Sequence, residues 1–371
     1  MASTFSFPTT TIYEVGARRE LSQWLAKLQS THPLVVTDSS LTKTNAFRLL
    51  LESLDGKAAV FSDVRPNPEE ADVDGAWNAY RDNGCDGVIA FGGGSALDVG
   101  KAVRLRIKRP KKTLAQFDFE ANWSGLAPLI AIPTTAGTGS EVGRSSVIIM
   151  NKRKQVIFHP SLLADLVILD PEFTRELPPK LTAATGVDAL THCIESFTSP
   201  VFHPLCDGIA LEGIHLITGG ALEHAVKHGD DLEARGHMQI AAAMGAIAFQ
   251  KDLGATHSLA HPLSSLCGLH HGLANALCLP FVMELNAERK PEVYRRVGLA
   301  MGLSDPTDAN TILAVRDLLS GIGLIPGLRP HGVDESKLDA LADQAFEDSC
   351  HATNPVWVTR DDLRSLYERA L

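Results

Sequence analysis

Asp86-Gly-Val-Ile-Ala-Phe-Gly-Gly-Gly-Ser95, continued by Ala96-Leu-Asp-Val-Gly-Lys-Ala-Val103, is the stretch that decides the fold. An apolar run stops at three glycines, and an amphipathic helical segment begins at once. Strand, tight turn and helix in that order are the grammar of a βαβ unit in a parallel sheet. The glycines let the backbone turn sharply and approach a ligand without Cβ interference. Ser95 opens a helix (residues 96–103) whose free N–H groups and dipole suit a phosphate. The string is not the G-x-G-x-x-G fingerprint, and glycine turns also join strands to helices with no ligand present.

The same alternation extends to both sides. Strands are expected at residues 11–14, 32–37, 58–61, 129–133 and 166–169, with helices at 18–29, 44–54 and from the PNPEE turn to about 83. Asp38, ending an early strand, can accept hydrogen bonds from an adenosine ribose and would repel a 2′-phosphate. It suits a turn or helix N-cap equally well. The strand at 129–133 delivers Thr134-Thr135-Ala-Gly-Thr138-Gly-Ser-Glu141, a hydroxyl- and glycine-rich loop fit to cradle an anion or ribose, or to serve as an ordinary turn. Residues 146–150 and 155–158 can pair as a hairpin, with Lys154 beside cofactor phosphates or on the surface.

The pattern changes at Leu177-Pro178-Pro179, beyond which only helix-period segments follow. The expected division is therefore an α/β domain over 1–178 and an all-helical domain over 179–371. Helices are expected at 181–197, 204–228, 232–249, 254–265 and 272–287, then at 291–300, 309–322, 335–349 and 360–371.

The helical half contains GVDALTHCIES, with Asp188 and His192 four apart, and GATHSLAHPLSSLCGLHHGLANA, with His257 and His261 four apart and His270-His271 beyond. Residues at that spacing share a helix face. Either pair alone would be unremarked. Both, however, sit among Ala, Leu, Ser and Gly, so they read as buried, and buried imidazoles and carboxylates need partners. A shared cation satisfies several at once, and one carboxylate with three imidazoles suits Zn²⁺ or Fe²⁺.

A chain of 371 residues favours two domains, and 44% hydrophobic with 21% charged residues is the composition of a soluble globular protein. A net charge of −10 argues against a nucleic-acid groove or an anionic membrane surface. The one cationic run, residues 104–112, is broken by Pro110 and is expected to be a solvated helix end and turn. Six cysteines without CxxC spacing imply free thiols in a reducing compartment. No signal peptide and no apolar run of transmembrane length are apparent, so a cytoplasmic protein is expected.

The strings GGGSALDVGKA, PTTAGTGSEV, GVDALTHCIESFTS and HSLAHPLSSLCGLHHGLANA resemble the iron-containing (group III) alcohol dehydrogenases. The resemblance runs from about residue 8 to the C-terminus, where EDSCHATNP also fits. It implies an α/β N-terminal Rossmann-like dinucleotide-binding domain and an all-α C-terminal metal-binding domain, the fold shared with dehydroquinate synthase, with the active site in the cleft between. By that resemblance Asp188, His192, His257 and His271 are metal ligands. His261 is a non-ligand histidine near substrate and nicotinamide ribose, a candidate proton relay. Asp38, Gly93, Gly94, Ser95, Asp98, Thr134, Thr135, Thr138 and Lys154 would line the cofactor site. Several family members take NADP and carry a small residue where this chain has Asp38, so the resemblance points to NAD. The metal would be Fe²⁺ or Zn²⁺, and a homodimer is implied. Two positions depart from the family: His270 stands where Pro is frequent, and Arg144 where Thr or a small residue is. Arg144 could favour an anionic substrate or lie on the surface.

The implied activity is a metal-dependent, NAD(P)-linked alcohol dehydrogenase or aldehyde reductase, moving hydride between nicotinamide C4 and a small alcohol or aldehyde. A metal- and NAD-using lyase or cyclase of the dehydroquinate synthase type would want more Lys and Arg for phosphate. A maleylacetate reductase-like enzyme has a different threonine-rich loop. A metal-dependent hydrolase would need the Glu of H-E-x-x-H, and a non-catalytic metal-binding protein needs no cofactor domain. Consumption of reduced nicotinamide with a small aldehyde separates the first from the rest.

Overall fold

The computed structural model describes residues 9–117, 122–151 and 153–371. They form two compact units, one from the residues up to Thr135 with Gly139–Leu177, the other from Ala136–Thr138 with Pro178–Leu371.

In the first unit, strands β1 (Thr11–Tyr13), β2 (Pro33–Val36), β3 (Ala59–Phe61), β4 (Gly87–Gly92), β5 (Leu129–Pro133) and β8 (Leu166–Leu169) make a six-stranded parallel sheet in the order β1-β8-β5-β4-β2-β3. Strands β6 (Ser145–Met150) and β7 (Arg153–Phe158) form a separate antiparallel hairpin. Every residue of β2, β4, β5 and β8 is buried, as expected of parallel strands covered on both faces. Helices α1 (Leu21–Lys27), α2 (Asn45–Ser53), α3 (Glu70–Asp82) and α4 (Gly94–Lys108) connect them. Phe91 of β4 packs between Phe47 and Phe173, with centroids 6.1 and 5.1 Å away. Helix α4 lies so close to β4 that a Cβ on Gly100 would stand 2.4 Å from that of Ala90.

Helix α4 extends five residues past the expected 103, to Lys108; Lys108, Lys111 and Lys112 are exposed as a solvated helix end and turn, but that reading fails for Arg104 and Arg106. Arg104 and Arg106 are buried. Arg104 donates to the carbonyls of Ala127, Ser161 and Leu163 and pairs with Asp165, while Arg106 donates to Asp74 and to the carbonyls of Pro110 and Lys112. A guanidinium fork carries five donors, so it can satisfy several loop carbonyls that strands cannot reach.

The second unit is helical: α5 (Pro179–Thr198), α6 (Pro204–Leu216), α7 (Leu222–Lys227), α8 (Leu232–Ala248), α9 (Ala255–Cys267), α10 (His271–Arg289), α11 (Arg295–Ala300), α12 (Asp308–Gly321), α13 (Leu338–Glu347) and α14 (Arg360–Ala370). The stretch expected at 291–300 is helical only from Arg295, 335–349 is helical with a 3₁₀ turn on either side of α13, and 204–228 is broken at Gly220, whose φ is 117°. Contrary to the sequence expectation, Pro204–Lys227 is long and apolar enough, with a mean hydropathy of 1.2, to match a membrane span by length and composition. Here α6 packs against α5 and α8, and Cys206, Ala210 and Ile214 join their common core.

Helix α5 is the hub, packing on α6, α8 and α10. Glycines set the closest approaches. A Cβ on Gly272 of α10 would lie 2.0 Å from the Ala184 carbonyl oxygen, and one on Gly245 of α8 would lie 2.9 Å from His192 Cβ. Those contacts bring the face of α5 that carries Asp188 and His192 against its neighbours.

Candidate functional site

Asp188 and His192 occupy successive turns of α5, and both side chains are buried. His257 comes from α9 and His271 is the first residue of α10. Asp188 Oδ1 lies 3.8 Å from His192 Nε2, 3.8 Å from His257 Nε2 and 3.3 Å from His271 Nε2. Donors bound at about 2.0–2.2 Å around one cation stand roughly 3–3.6 Å apart, so this spacing fits a single ion with little adjustment. The donor atoms of Asp188, His192 and His257 all fall within 4.8 Å of one another. The rings of His192 and His257 stack, with centroids 4.7 Å apart, and Phe249 packs edge-on against His192 at 5.3 Å. His192 is buried, and a hydrogen bond with the Gly137 backbone works against the effect of that burial on its charge.

Two residues that sequence reasoning missed hold this donor set. Glu195, one turn beyond His192, faces His257 Nδ1 at 2.6 Å and accepts from the backbone N–H of Gly254 at 3.0 Å and of Thr256 at 2.6 Å. Its carboxylate holds a proton on Nδ1 and turns Nε2 towards Asp188, leaving Nε2 as the nitrogen that would bind an ion, the arrangement usual behind a metal-ligating histidine. Asn275, one turn after His271, donates its amide to Asp188 Oδ1 at 2.8 Å and lies 3.3 Å from both His257 Nε2 and His271 Nε2. The i+3 and i+4 positions after His192 and His271 were the available signals.

Charges respond accordingly. Burial opposes ionisation of Asp188, but the neighbouring imidazoles of His192 and His271 outweigh it and hold the carboxyl well below its usual range. Burial likewise opposes charge on His257, yet Asp188 and Glu195 prevail and push it up to about 9. His192, with burial dominant, is pushed down to about 4. A buried carboxylate pair with imidazoles of opposite tendencies is a site built for positive charge.

His261 is on the same face of α9 but takes a different role: its ring stacks on His271 at 5.3 Å, and Nδ1 lies 2.7 Å from Asp348. His270 is solvent-exposed and serves as the N-cap of α10, which leaves His271 as the inward member of the pair. The Arg144 guanidinium rests over Phe158, 5.3 Å from the ring centre.

In the first unit, Gly92 has φ 150° and the N-cap of α4 is Gly93, which has no side chain to cover the first N–H groups of this long helix. That is the geometry an anionic pyrophosphate requires. The Ser95 hydroxyl donates to the Pro66 carbonyl, and both oxygens of Asp98 are engaged, by Ser140 Oγ and by the N–H of Val147. Those two side chains therefore brace the loops around the helix start. Thr134 is buried, with its N–H on the Gly92 carbonyl. Thr135 lies against Gly93, whereas Thr138 belongs to the helical unit. Lys154 is exposed on β7. Asp38 Oδ1 accepts from the N–H groups of Ser40 and Leu41, closing a turn, while Oδ2 makes no hydrogen bond among the described residues.

Comparison with known proteins adds to this geometry. Residues 8–171 match the family model "Iron-containing alcohol dehydrogenase", and residues 182–371 match "Fe-containing alcohol dehydrogenase family, C-terminal". The chain is 39% identical to the 4-hydroxybutyrate dehydrogenase of Cupriavidus necator, over 96% of this chain and 97% of that one. It is 38% identical to the probable alcohol dehydrogenase EutG of Escherichia coli strain K12, over 99% and 94% of the two chains. Among solved structures, a 1,3-propanediol oxidoreductase superposes with a TM-score of 0.94 at 31% identity, covering 100% of both chains. The sulfoacetaldehyde reductase of Bifidobacterium kashiwanohense, in complex with NAD⁺, gives a TM-score of 0.92 at 29% identity, covering 100% of this chain and 99% of that one.

Proposed function

Because this chain belongs to the iron-containing alcohol dehydrogenase family, we propose that it is a metal-dependent, NAD-linked dehydrogenase interconverting a small alcohol and its aldehyde. The observation that carries the reading is the convergence of Asp188, His192, His257 and His271 from three helices onto a spacing that fits one divalent cation. Fe²⁺ and Zn²⁺ both suit one carboxylate and three imidazoles. A bound cation supplies Lewis-acid polarisation of the substrate oxygen, and the nicotinamide accepts or returns the hydride.

The protein's own residues divide the remaining work. Asp188 and the three histidines hold the ion, Glu195 keeps His257 in the ligating tautomer, and Asn275 restrains Asp188. The N–H groups at Gly93 and Gly94 receive the pyrophosphate, and Asp38 accepts from the adenosine ribose through Oδ2. His261 takes the hydroxyl proton at Nε2 during oxidation and returns it during reduction. Within the substrate class, alcohols and aldehydes with an anionic far end come first, because the similar 4-hydroxybutyrate dehydrogenase and sulfoacetaldehyde reductase are named for such molecules. A homodimer working in the cytoplasm belongs to the same proposal.

The test is a panel of small aldehydes, neutral and anionic, with NADH and then NADPH, followed through the absorbance of the reduced nicotinamide. Turnover that a chelator abolishes while NADH still binds supports the reading. No turnover with any aldehyde after loading with Fe²⁺ or Zn²⁺ overturns it.

A further inference from the structure

We propose that Asp348 is a positioning residue that locks His261 into one orientation and one tautomer, with the proton on Nδ1 and the lone pair on Nε2. The inference rests on the dehydrogenase reading for its consequence in turnover, but not for its geometry. Asp348 is the N-cap of the short 3₁₀ helix Ser349–Thr353, and that duty uses only Oδ1, which accepts from the Cys350 N–H at 2.9 Å. The other oxygen lies 2.7 Å from His261 Nδ1. A capping aspartate has no need of that second contact.

The carboxylate is itself held rigidly. Ser258 Oγ donates to Asp348 Oδ1 at 3.0 Å and accepts from the His351 N–H at 2.8 Å. Helix α9 thus grips one carboxylate at two points a turn apart, through Ser258 and His261. The ring is clamped from the side as well, stacked on His271 with planes 14° apart. With Nδ1 anchored and the side chain 45% exposed, Nε2 is the end left for a small molecule. Glu195 does the same for His257 on the preceding turn of the same helix, so two carboxylates set two imidazole tautomers side by side.

The decisive variant is Asp348→Asn. Its amide oxygen can keep the Cys350 and Ser258 hydrogen bonds, so the cap survives, but the amide N–H then faces His261 Nδ1. The imidazole must accept there and carry its proton on Nε2, the wrong end. Nitrogen-15 spectra of the metal-loaded protein, with His261 assigned by comparison with His261→Ala, read the tautomer directly. The expected result is Nδ1–H in the parent and Nε2–H in Asp348→Asn. In turnover, kcat should fall about a hundred- to ten-thousandfold, the scale of losing a positioned acid–base group, while aldehyde KM, NADH affinity and metal content stay within about twofold. His261→Ala should cost about as much, and the double variant no more than either single one.

An Nε2–H tautomer in the parent, an unchanged kcat in Asp348→Asn, or losses that multiply in the double variant would each overturn the assignment. A parent enzyme that reduces no aldehyde would instead refute the dehydrogenase reading, and the tautomer spectra would still decide the role of Asp348.

Discussion

Replacing Glu195 with Gln keeps the side chain's shape and removes its charge at the point where α5 and α9 share a hydrogen-bond network. The carboxylate faces three donors: Gly254 N–H at 3.0 Å and His257 Nδ1 at 2.6 Å on Oε2, and Thr256 N–H at 2.6 Å on Oε1. An amide has one acceptor oxygen. Whichever way it turns, its NH₂ meets at least one buried N–H, and the least costly orientation sacrifices Thr256. One unmatched buried donor costs about 1–3 kcal/mol, and weakening the charge-assisted bond to His257 adds about 1 kcal/mol, so the metal-free protein should lose about 2–4 kcal/mol of stability. Loss of an outer carboxylate behind a ligating histidine typically lowers metal affinity about 10–100-fold, or about 1.4–2.7 kcal/mol. Two measurements check this: denaturant unfolding of the metal-free protein, and Zn²⁺ affinity by competition with a chromophoric chelator. A Zn²⁺ affinity within about twofold of the parent would show that Glu195 does not serve the donor set.

Further perturbations address the rest of the molecule. Gly272→Ala places a Cβ 2.0 Å from a backbone oxygen of α5, where no side chain can yield; overpacking of about 1–3 kcal/mol should lower Tm by several degrees, and an unchanged melting curve would contradict the close approach. Asp38→Gly removes the carboxylate assigned to the ribose, so kcat/KM with NADPH relative to NADH should rise at least about tenfold; an unaltered ratio would confine Asp38 to its turn. Asp86 is opposed by burial but held down to about 2 by the N–H groups of Thr31 and His32 and the hydroxyls of Ser30 and Thr31. A depressed carboxylate contributes stability above its ordinary value of 3.8 and loses it as pH falls towards about 2, so Asp86→Asn should flatten the stability profile in that window and leave its slope at neutral pH unchanged.

What the sequence disclosed was local, and what it concealed was long-range. The run from Asp86 to Val103 shows strand, turn and helix because the apolar block, the glycines and the amphipathic period all lie within a few residues of one another. Asp188 with His192, and His257 with His261, are visible for the same reason: a four-residue spacing is a statement about one helix face. Glu195, Asn275 and Asp348 escaped because a buried glutamate, asparagine or aspartate is indistinguishable in sequence from a solvated one until its distant partners are known. Glu195 bonds to residues about sixty positions away, and Asp348 to Ser258 and His261 about ninety away. Arg104 and Arg106 failed in the opposite direction. Cations beside a proline read as surface, yet their forks close on carbonyls from three separate loops. Gly100 and Gly272 were likewise silent, since nothing in their neighbours announces the backbone that presses on them.

On the proposed reading His271, rather than its neighbour His270, completes a four-residue cation site with Asp188, His192 and His257. Metal analysis after loading with Zn²⁺ and gel filtration, on the parent and on His270→Ala and His271→Ala, addresses it without reference to any substrate. A single tightly held ion per chain is expected in the parent and in His270→Ala, with at least about tenfold weaker retention in His271→Ala. A parent chain that retains no ion, or a loss confined to His270→Ala, would contradict it.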